Sequence, residues 1–484
     1  MTKRKQVHFV GIGGIGMSAL ARWCKAHGWD VSGSDAESSP ITAALRRDGI
    51  RIMRGHRAAH VSRAATLVVR SQAIPPENPE IAAARAKGIP VLSYPEMLGR
   101  ITEVSRTLAV AGAHGKSTTT ALAALILIAA GKNPTVIIGT NLKELGGKNF
   151  RAGLDSLLVL EADEYGRAFL HYSPSVAIVT NIDREHLDIY PSLRDVQKAF
   201  MQFLARVAYG GKLILNRDSA PLASCASSVR KLAKRRNLSV FWYSLRNPLA
   251  NAVRRCISIP GEHNVSNAVG ALTAAAKAFG VPLRTALRAL AAYRGAWRRM
   301  EYRGRWQMAN GKGQRANAFN RPRHMPYAMR SLLVYDDYAH HPTEIKAALA
   351  AFREKFPHSP LICVFQPHQT LRLRKLFREF INAFNDADAL ILFPTYQVAG
   401  RDRINPRFTS KILASAIQRR YPTKPVLYLA NPKSIKQALG NVLPSLTTKS
   451  SKLSAKGGSA FGGKPILVMM GAGNIVRLTD ELLQ

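Results

Sequence analysis

Acidic residues are scarce in this chain of 484 residues, in which 30 Asp and Glu stand against 70 Lys and Arg and leave a formal net charge of +40. Such an excess favours nonspecific attraction to nucleic acid or anionic lipid, with strong salt dependence. The basic residues are spread along the whole chain, however, without a recognisable RNA- or DNA-binding module. We therefore expect a solvated basic surface that suits a polyanionic substrate such as a nucleotide, and no specific nucleic-acid partner.

Cysteine is also rare. The four cysteines, Cys24, Cys225, Cys256 and Cys363, have neither the spacing of a metal site nor that of a disulfide framework. This pattern is typical of a reducing compartment and predicts a cytoplasmic protein.

Long apolar runs are missing as well. The run at 121–130 is too short for a bilayer, which needs roughly 20 apolar residues, so no membrane insertion is expected. The first 21 residues imitate a signal peptide, with MTKRK before an apolar stretch. The glycines of that stretch, at turn spacing, fit a strand, a loop and a helix better.

Apolar runs of strand length alternate with helix-compatible segments through most of the chain. This alternation predicts the α/β class with parallel or mostly parallel sheets in series. We expect three consecutive α/β domains at 1–105, 106–292 and 293–484. The segments 311–326 and 447–463 have the composition of poorly ordered insertions.

A glycine-rich turn follows the first predicted strand. Gly11, Gly13 and Gly16 satisfy GxGxxG, and Asp35 ends the next strand about 20 residues on. Glycines let the backbone approach a diphosphate, which then lies at a helix N-terminus. The diphosphate belongs either to NAD or to a UDP-sugar, and a tight turn without a ligand is the remaining alternative.

A second glycine loop, AGAHGKST at 111–118, also stands between a predicted strand and a predicted helix. It is shorter than the common GxxxxGK[ST] pattern, which needs a glycine where Val110 stands. Its backbone N–H groups suit phosphates, Lys116 suits the β and γ phosphates, and the Ser117 hydroxyl suits Mg²⁺. The sequence therefore predicts a site for ATP and Mg²⁺.

Glu161 and His186 extend this site. Both follow apolar runs that read as buried strands, so we expect them at the same sheet edge as Lys116. Carboxylate oxygens and an imidazole nitrogen are suitable ligands for divalent ions. For Asp163 and Glu164, capping or solvation is as good an interpretation as chemistry.

Several motifs, taken in their order along the chain, resemble those of Mur ligases. They are GxGGxGMSALA at 11–21, GxHGK[ST] at 112–117, EADE at 161–164, TNID..HLD at 180–188, GEHNVSNAVGA at 261–271, YRGAWRR at 293–299, DDYAHHPTE at 336–344 and FQPH at 365–368. The resemblance implies an N-terminal Rossmann-like UDP-sugar domain, a central P-loop ATPase-like domain and a C-terminal Rossmann-like domain. It also implies an ADP-forming amide ligase of peptidoglycan precursor synthesis, which joins L-alanine to the lactyl carboxylate of UDP-N-acetylmuramate through an acyl phosphate.

The resemblance further implies roles for individual residues. ATP would contact Gly112, His114, Gly115, Lys116, Ser117, Thr118, His263, Asn264, Asn267, Arg299 and Asp337. The UDP-sugar would contact Gly13, Gly14, Gly16, Ser34, Asp35, His56 and Ser71. The metal ligands would be Ser117, Glu161 and His186, and the amino acid would contact His340, His341, His368 and Arg372. The catalytic residues would be Lys116, His186, His341 and Arg372.

Some of these positions also have purely structural interpretations. Asn264 and Asn267 suit helix caps, and Pro342 suits the first turn of a helix. Arg298 and its neighbour Arg299 could be plain surface charge.

The chain departs from the family pattern in two places that matter. Gln369 follows FQPH where an Arg is more usual, which affects the amino-acid pocket. The stretch between Tyr243 and Ile257 is shorter than the corresponding family segment. We interpret it as a trimmed connection, because the motifs on both sides are intact.

Other functions remain open at this stage. A second Mur-type ligase, which recycles murein peptides onto UDP-N-acetylmuramate, would share both nucleotide sites. An NAD-binding oxidoreductase draws only on the first glycine turn and Asp35, and a nucleic-acid-binding protein only on the charge. The ligase is expected to be a monomer or a homodimer.

Overall fold

The computed structural model describes residues 4–307, 331–397, 402, 405–454 and 463–484. Within these residues the strands form three separate sheets, each covered by helices. The chain divides into two compact units, unit 1 at 1–259 and 263–296, and unit 2 at 260–262 and 297–484. The α/β class with three mostly parallel sheets in series is confirmed.

The first sheet consists of parallel strands. Its strands are β1 (Gln6–Val10), β2 (Asp30–Asp35), β3 (Arg51–Arg54), β4 (Leu67–Arg70) and β5 (Val91–Ser93), and its helices are α1 (Ile15–Ala26), α2 (Pro40–Arg47), α3 (Pro79–Ala86) and α4 (Tyr94–Glu103). The spatial order is β3-β2-β1-β4-β5. The order reverses at β1, and ligands of such sheets bind at the carboxyl ends of the strands beside this switch point. The first glycine turn directly follows β1 and lies there.

The second sheet is parallel except at one edge. Its strands are β6 (Arg106–Ala111), β7 (Thr135–Leu142), β8 (Lys148–Arg151), β9 (Leu157–Glu161), β10 (Val176–Val179), β11 (Lys212–Asn216) and β12 (Ser239–Tyr243), and its helices are α5 (Lys116–Ala129), α6 (Leu193–Ala205), α7 (Ala220–Ala223), α8 (Ala226–Arg236), α9 (Pro248–Cys256), α10 (Glu262–Phe279) and α11 (Leu283–Ala292). The order is β12-β11-β10-β6-β9-β7-β8, with β7 and β8 antiparallel. The central strands are buried on both faces and therefore read as unbroken apolar runs. The loop after β6, the end of β9 and the loop after β10 meet at one edge, as predicted.

The short stretch between Tyr243 and Ile257 folds as α9. Residues 244–247 connect it to the edge strand β12, and its Ala250 and Val253 are completely buried. Asn247 caps the helix by accepting from the Leu249 amide at 2.9 Å. The segment is therefore folded and packed, and its interpretation as a trimmed connection stays a prediction.

The first two sheets are held together through α1. The Asn149 side chain on β8 is fully buried and donates to the Ile15 carbonyl at 2.5 Å and to the Ser18 hydroxyl at 3.0 Å. Arg22, also on α1, donates to Asn149 Oδ1 at 2.6 Å and to Asp48 at 2.7 Å. The helix that follows the first glycine turn is therefore anchored to the sheet that carries the second.

The third sheet forms the core of unit 2. Its strands are β13 (Glu301–Gln307), β14 (Ser331–Asp337), β15 (Leu361–Phe365), β16 (Ala389–Leu392), β17 (Val426–Tyr428) and β18 (Ile466–Met470), and its helices are α12 (Pro342–Lys355), α13 (Thr370–Lys375), α14 (Phe377–Ile381), α15 (Ser410–Arg420), α16 (Ile435–Ser454) and α17 (Ile475–Leu483). The order is β13-β14-β18-β15-β16-β17, and only the β13–β14 pair is antiparallel.

The two predicted insertions fall largely outside the described residues. The segment 311–326 lies outside them altogether. The first part of 447–463 is helical, because α16 extends to Ser454, and 455–462 lie outside. Among the helices of the described part of the chain, none combines the length and the apolar character needed to cross a bilayer.

Candidate active site

The loop between β6 and α5 has a conformation that favours glycine. Gly112 and Gly115 have φ values of 144° and 80°, a region that L side chains rarely adopt. A Cβ atom at Gly112 would collide with the Thr180 hydroxyl, and one at Gly115 with the Asn267 amide. The loop therefore closes tightly, and α5 begins after it without a capping side chain or an acidic residue in its first turn. The first amides of α5 and its dipole thus favour an anion.

Lys116 directly follows this loop, and its side chain is held in place by hydrogen bonds and ion pairs. Its ammonium donates to the Gly112 carbonyl at 2.8 Å and to Glu164 Oε2 at 2.7 Å, and Asp163 lies 3.7 Å away. Burial opposes the charge, but Glu164 and Asp163 outweigh it and raise the pKa of Lys116 well above its ordinary value. Lys116 is therefore a fixed, fully charged cation.

Glu161 ends β9 and faces the first turn of α5. Its carboxylate accepts from the Ser117 hydroxyl at 3.0 Å and from the Gly139 amide at 2.8 Å. Burial raises the pKa of Glu161 above its ordinary value, although Lys116 partly opposes this. A cation beside this carboxylate would stabilise its charged form. Ser117 and Glu161, predicted together as metal ligands, thus lie in contact.

His186 pairs with a carboxylate other than Glu161. Its Nε2 lies 3.4 Å from Glu164 Oε1, and its ring packs edge-on against Tyr165. Burial opposes protonation, but Glu164 outweighs it and raises the pKa of His186. The φ of His186 is 50°, a strained value for a residue with a side chain. Potential ligand atoms of Asp163, Glu164 and His186 lie within 4.8 Å of one another.

The loop is braced by the residues that follow β10. The Asn181 side chain accepts from the His114 amide and donates to the His114 carbonyl, both at 2.9 Å. Thr180 donates to the same carbonyl at 2.6 Å, and the His114 ring lies 3.0 Å from Asp183. Residues of the TNID motif, which follow the neighbouring strand β10, therefore fix the shape of the glycine loop at 112–115.

Asn264 and Asn267 lie inside α10 and are buried. They do not cap the helix, so that structural alternative was wrong. The Asn267 amide lies directly against Gly115 in the loop, and His263 is exposed one turn earlier. Thr118 is buried in the first turn of α5.

The first glycine turn is closed by Asp35. The carboxylate of Asp35 accepts from the Gly13 amide at 2.8 Å and from the Glu37 amide at 3.2 Å. Because both oxygens accept from backbone amides, Asp35 fixes the shape of the turn. Gly14 precedes α1 without a capping side chain. A Cβ atom at Gly16 would lie 2.7 Å from the Tyr94 hydroxyl oxygen.

Three further residues predicted for the UDP-sugar site lie near the carboxyl end of β2, after β3 and after β4. Ser34 is completely buried and donates to Glu80 at 2.5 Å. His56 lies beside it, with Nδ1 at 3.0 Å from the Ser34 hydroxyl oxygen. Ser71 accepts from the Ala73 amide at 3.3 Å. Ser34 thus lies beneath the edge of the sheet and supports His56.

In unit 2, Asp337 is the last residue of β14, and hydrogen bonds fix its carboxylate. Its two oxygens accept from the amides of Met300 at 2.9 Å and Ala339 at 2.8 Å. Burial raises the pKa of Asp337, although Arg299 opposes this. Arg298 is buried and donates to the Gly471 carbonyl, so the surface-charge interpretation of Arg298 was wrong.

Three of the residues predicted for the amino acid form one cluster in unit 2. The ring centroids of His340 and His368 are 5.8 Å apart, and His368 stacks on Tyr396. Arg372, largely buried, donates to the His368 carbonyl at 3.0 Å. His340, His368 and Arg372 are thus brought together at the carboxyl ends of β14 and β15.

His341 begins α12. Its Nδ1 accepts from the Thr343 amide at 3.3 Å, and Pro342 occupies the first helical position. This arrangement is that of a helix N-cap. The predicted structural role of Pro342 is confirmed, and His341 has a structural role as well.

Sequence reasoning missed several residues that build these sites. It left Glu164 undecided and did not single out Gly139, Asn181 or Glu80. The repeated carboxylate of EADE was a signal for Glu164, and the side-chain amide in TNID was one for Asn181. Gly139 and Glu80 gave none, since a glycine in a strand and a glutamate near a helix start are ordinary.

Models of three protein families match successive parts of the chain. They are the Mur ligase family, catalytic domain, at residues 6–106, the Mur ligase middle domain at 110–275, and the Mur ligase, glutamate ligase domain at 324–445.

Individual relatives agree. A curated UDP-N-acetylmuramate–L-alanine ligase from Desulfatibacillum aliphaticivorans is 35% identical over 99% of this chain and 98% of that protein. The crystal structure of the UDP-N-acetylmuramate-alanine ligase from Thermotoga maritima matches with a TM-score of 0.70 and 25% identity over 99% of this chain and 98% of that one. A murein peptide ligase from Psychrobacter arcticus, at a TM-score of 0.65, 22% identity and the same coverage, shares the fold. The chain belongs to the Mur ligase family.

Proposed function

We propose that this protein is an ATP-dependent, ADP-forming ligase that joins L-alanine to the lactyl carboxylate of UDP-N-acetylmuramate. The observation that carries the proposal is Lys116, a charged ammonium fixed between the carbonyl of Gly112 and Glu164 at the uncapped start of α5. The substrates are those named for the relatives that match this chain over almost its whole length.

The reaction requires two displacements. In the first, the lactyl carboxylate attacks the γ phosphorus of ATP, a carboxylate O–P bond forms, and the bond to ADP breaks. In the second, the alanine amine attacks the acyl carbon, a C–N bond forms, and phosphate leaves with the C–O bond electrons while the amine loses a proton. The first step moves negative charge onto the departing ADP, and the second moves it onto the acyl oxygen and then onto the departing phosphate, so a positioned cation lowers both barriers. We assign that task to Lys116 and the amides at the start of α5.

A Mg²⁺ ion fits the donors present. Ser117 and Glu161 offer oxygens in contact with each other, and burial of Glu161 without a full countercharge favours a cation there. His186 with Glu164 and Asp163 offers a second group of donors. When bound, the ion would neutralise phosphate charge, and these side chains would hold it.

We further assign the UDP-sugar to the first sheet and the amino acid to unit 2. The glycine turn after β1, with Gly13, Gly14 and Gly16, would take the diphosphate, since its loop precedes the uncapped helix α1. The cluster of His340, His368 and Arg372 would take the carboxylate of L-alanine, because Arg binds carboxylates well.

The test is a coupled assay of ADP and phosphate release. We expect release only when ATP, Mg²⁺, UDP-N-acetylmuramate and an amino acid are all present. Lys116→Ala should reduce turnover at least 100-fold, as expected for the loss of a charge that stabilises a transition state. Lys198→Ala serves as the control, since Lys198 is 76% exposed on α6. Unchanged kinetics in Lys116→Ala would contradict the site.

A murein-peptide recycling ligase is the second candidate and shares the fold. The same assay with L-alanine, L-serine, glycine and a murein tripeptide separates the two. Preference for the free amino acid supports the proposal, and preference for the tripeptide contradicts it.

A further inference from the structure

Glu80 carries a completely buried carboxylate. It lies near the edge of the first sheet at which β2 and β3 end. It lies in the first turn of α3, where Asn78 accepts from its amide at 3.0 Å. A helix start favours a negative charge, but a buried carboxylate also needs hydrogen-bond donors for its oxygens.

Side chains and an amide from β1, β2 and the segment after β3 surround the Glu80 carboxylate, and His56 Nδ1 also lies 3.5 Å from Glu80 Oε2. Oε2 accepts from Ser34 on β2 at 2.5 Å, and His8 on β1 lies 3.4 Å away. Oε1 accepts from His60 Nδ1 at 2.7 Å and from the Arg57 amide at 3.2 Å. Burial opposes ionisation, but the hydrogen bonds from His8, Ser34 and His60 outweigh it and lower the pKa of Glu80 to about 2. Glu80 is therefore ionised at neutral pH.

The contact between Ser34 and Glu80 fixes a proton on His56. A carboxylate only accepts, so the single hydroxyl proton of Ser34 points to Glu80. The Ser34 oxygen is then an acceptor toward His56 Nδ1, which lies 3.0 Å away. This hydrogen bond needs a proton on Nδ1 of His56, so Nε2 is the ring nitrogen that accepts when the ring carries a single proton.

The His56 ring is 16% exposed, and within the described residues its Nε2 has no hydrogen-bond partner. An Nε2 with a lone pair suits an N–H or O–H donor. The uracil ring and the ribose of a uridine nucleotide offer such donors, whereas phosphate oxygens do not.

We propose that Glu80 is a positioning residue for nucleotide recognition in the first sheet, acting through Ser34 to hold His56 as a hydrogen-bond acceptor for the uridine. This inference rests on the proposed function, because it takes the ligand to be a UDP-sugar. It deepens that function by identifying which part of the substrate His56 recognises and what sets the state of His56.

The experiment measures UDP binding by calorimetry and the kinetics of the full reaction. Ser34→Ala should weaken UDP binding about tenfold, as expected for the loss of one ordered hydrogen bond. The KM for UDP-N-acetylmuramate should rise by the same factor, while kcat and the KM for ATP stay near the wild-type values. Ser62→Ala is the control, since Ser62 belongs to the same sheet domain, is exposed and accepts from the Ala64 amide.

Coupling between residues tests the relay itself. His56→Ala should weaken UDP binding to a similar extent, and the double variant Ser34→Ala with His56→Ala should be no weaker than His56→Ala alone. Glu80→Gln should also raise the KM for UDP-N-acetylmuramate while leaving the KM for ATP unchanged, which shows that the protein has folded.

The two proposals fail in different ways. If the wild-type protein does not bind UDP at all, the proposed function is contradicted. If the wild type binds UDP and Ser34→Ala binds it equally well, or if the effects of Ser34→Ala and His56→Ala add, the relay through Ser34 is wrong; if Glu80→Gln leaves the KM for UDP-N-acetylmuramate unchanged, the role of Glu80 is wrong. In each case the proposed function stands.

Discussion

The Glu161 carboxylate depends on the absence of a side chain at Gly139. The Gly139 amide donates to Glu161 Oε2 at 2.8 Å, and a Cβ atom at this position would lie 2.9 Å from that oxygen. We expect Gly139→Ala to displace the carboxylate from Ser117 and to lower kcat about tenfold or more, with little loss of stability because Gly139 is exposed.

Turnover at increasing Mg²⁺, together with thermal unfolding, measures this effect. Asn141→Ala is the control, because it changes another residue of the same strand and leaves Gly139 unchanged. Wild-type turnover in Gly139→Ala would show that the position of Glu161 is unimportant.

Glu80 makes stability depend on pH. Its pKa is about 2 in the folded state against an ordinary value of 4.5, so its contribution is complete above pH 4.5 and is lost as the pH falls toward 2. We expect Glu80→Gln to lower the free energy of unfolding by about 3 kcal/mol at neutral pH. This difference should shrink as the pH falls below 4.5.

Urea unfolding of both proteins at neutral pH and at successive lower values down to about pH 3.5 measures the difference. A difference that grew with acidity would have the wrong sign for a carboxylate whose pKa is lowered by folding.

At the scale of elements, β8 sets the position of α1. Asn149 ties the first turns of α1 to the second sheet, and Arg22 joins Asn149 to Asp48. The proposed ligation requires the glycine loop after β6 and the glycine turn after β1 to stay at a fixed separation. The strand pair β7–β8 connects the elements that carry these two loops.

We expect Asn149→Ala to destabilise unit 1 by about 1–3 kcal/mol, because it leaves buried polar groups of α1 without their partner. It should also lower kcat/KM for UDP-N-acetylmuramate more than it lowers the affinity for ATP. Lys148→Ala, which removes a half-exposed ion pair with Asp48, should change stability by about 1 kcal/mol or less. Chemical denaturation and steady-state kinetics measure these effects in both variants. Equal effects of Asn149→Ala and Lys148→Ala would contradict the role of Asn149 in positioning α1.

Sequence patterns identified several strands whose burial is continuous, although β7, which is buried at 135–138, was not predicted. The runs that became β6, β9 and β10 are buried on both faces, so their composition alone predicted strands and the edge where their ends meet. The edge strands β8 and β13 were not predicted, since KNFR and EYRGRWQ are half polar and carry no continuous apolar signal.

The candidate sites were predictable where backbone geometry demands particular residues. Gly112 and Gly115 are required by their φ values and close contacts, which their spacing already indicated. Pairings were not predictable. The sequence grouped His186 with Glu161, whereas the structure pairs it with Glu164, because the direction of a side chain after a strand depends on the local turn.

At the scale of the whole molecule, the charge of +40 predicts weak and unspecific attraction to polyanions. Helix α8 illustrates it, since Arg230, Lys231, Lys234 and Arg235 are all exposed. We expect duplex DNA to bind at low ionic strength without sequence preference and to dissociate as salt rises.

Gel-shift titration of two unrelated duplexes over a series of salt concentrations tests this expectation. Binding that persists in high salt, or that distinguishes the two sequences, would instead indicate a dedicated nucleic-acid site.

The chain crosses between the two units more than once, because residues 260–262 belong to unit 2 while their neighbours on both sides belong to unit 1. In unit 2 the Gly261 amide donates to Glu354 at 3.1 Å. A single cut after Ala296 would therefore leave a C-terminal fragment without this partner for Glu354. A C-terminal fragment would keep this contact if a grafted connection carried Pro260, Gly261 and Glu262 along with it.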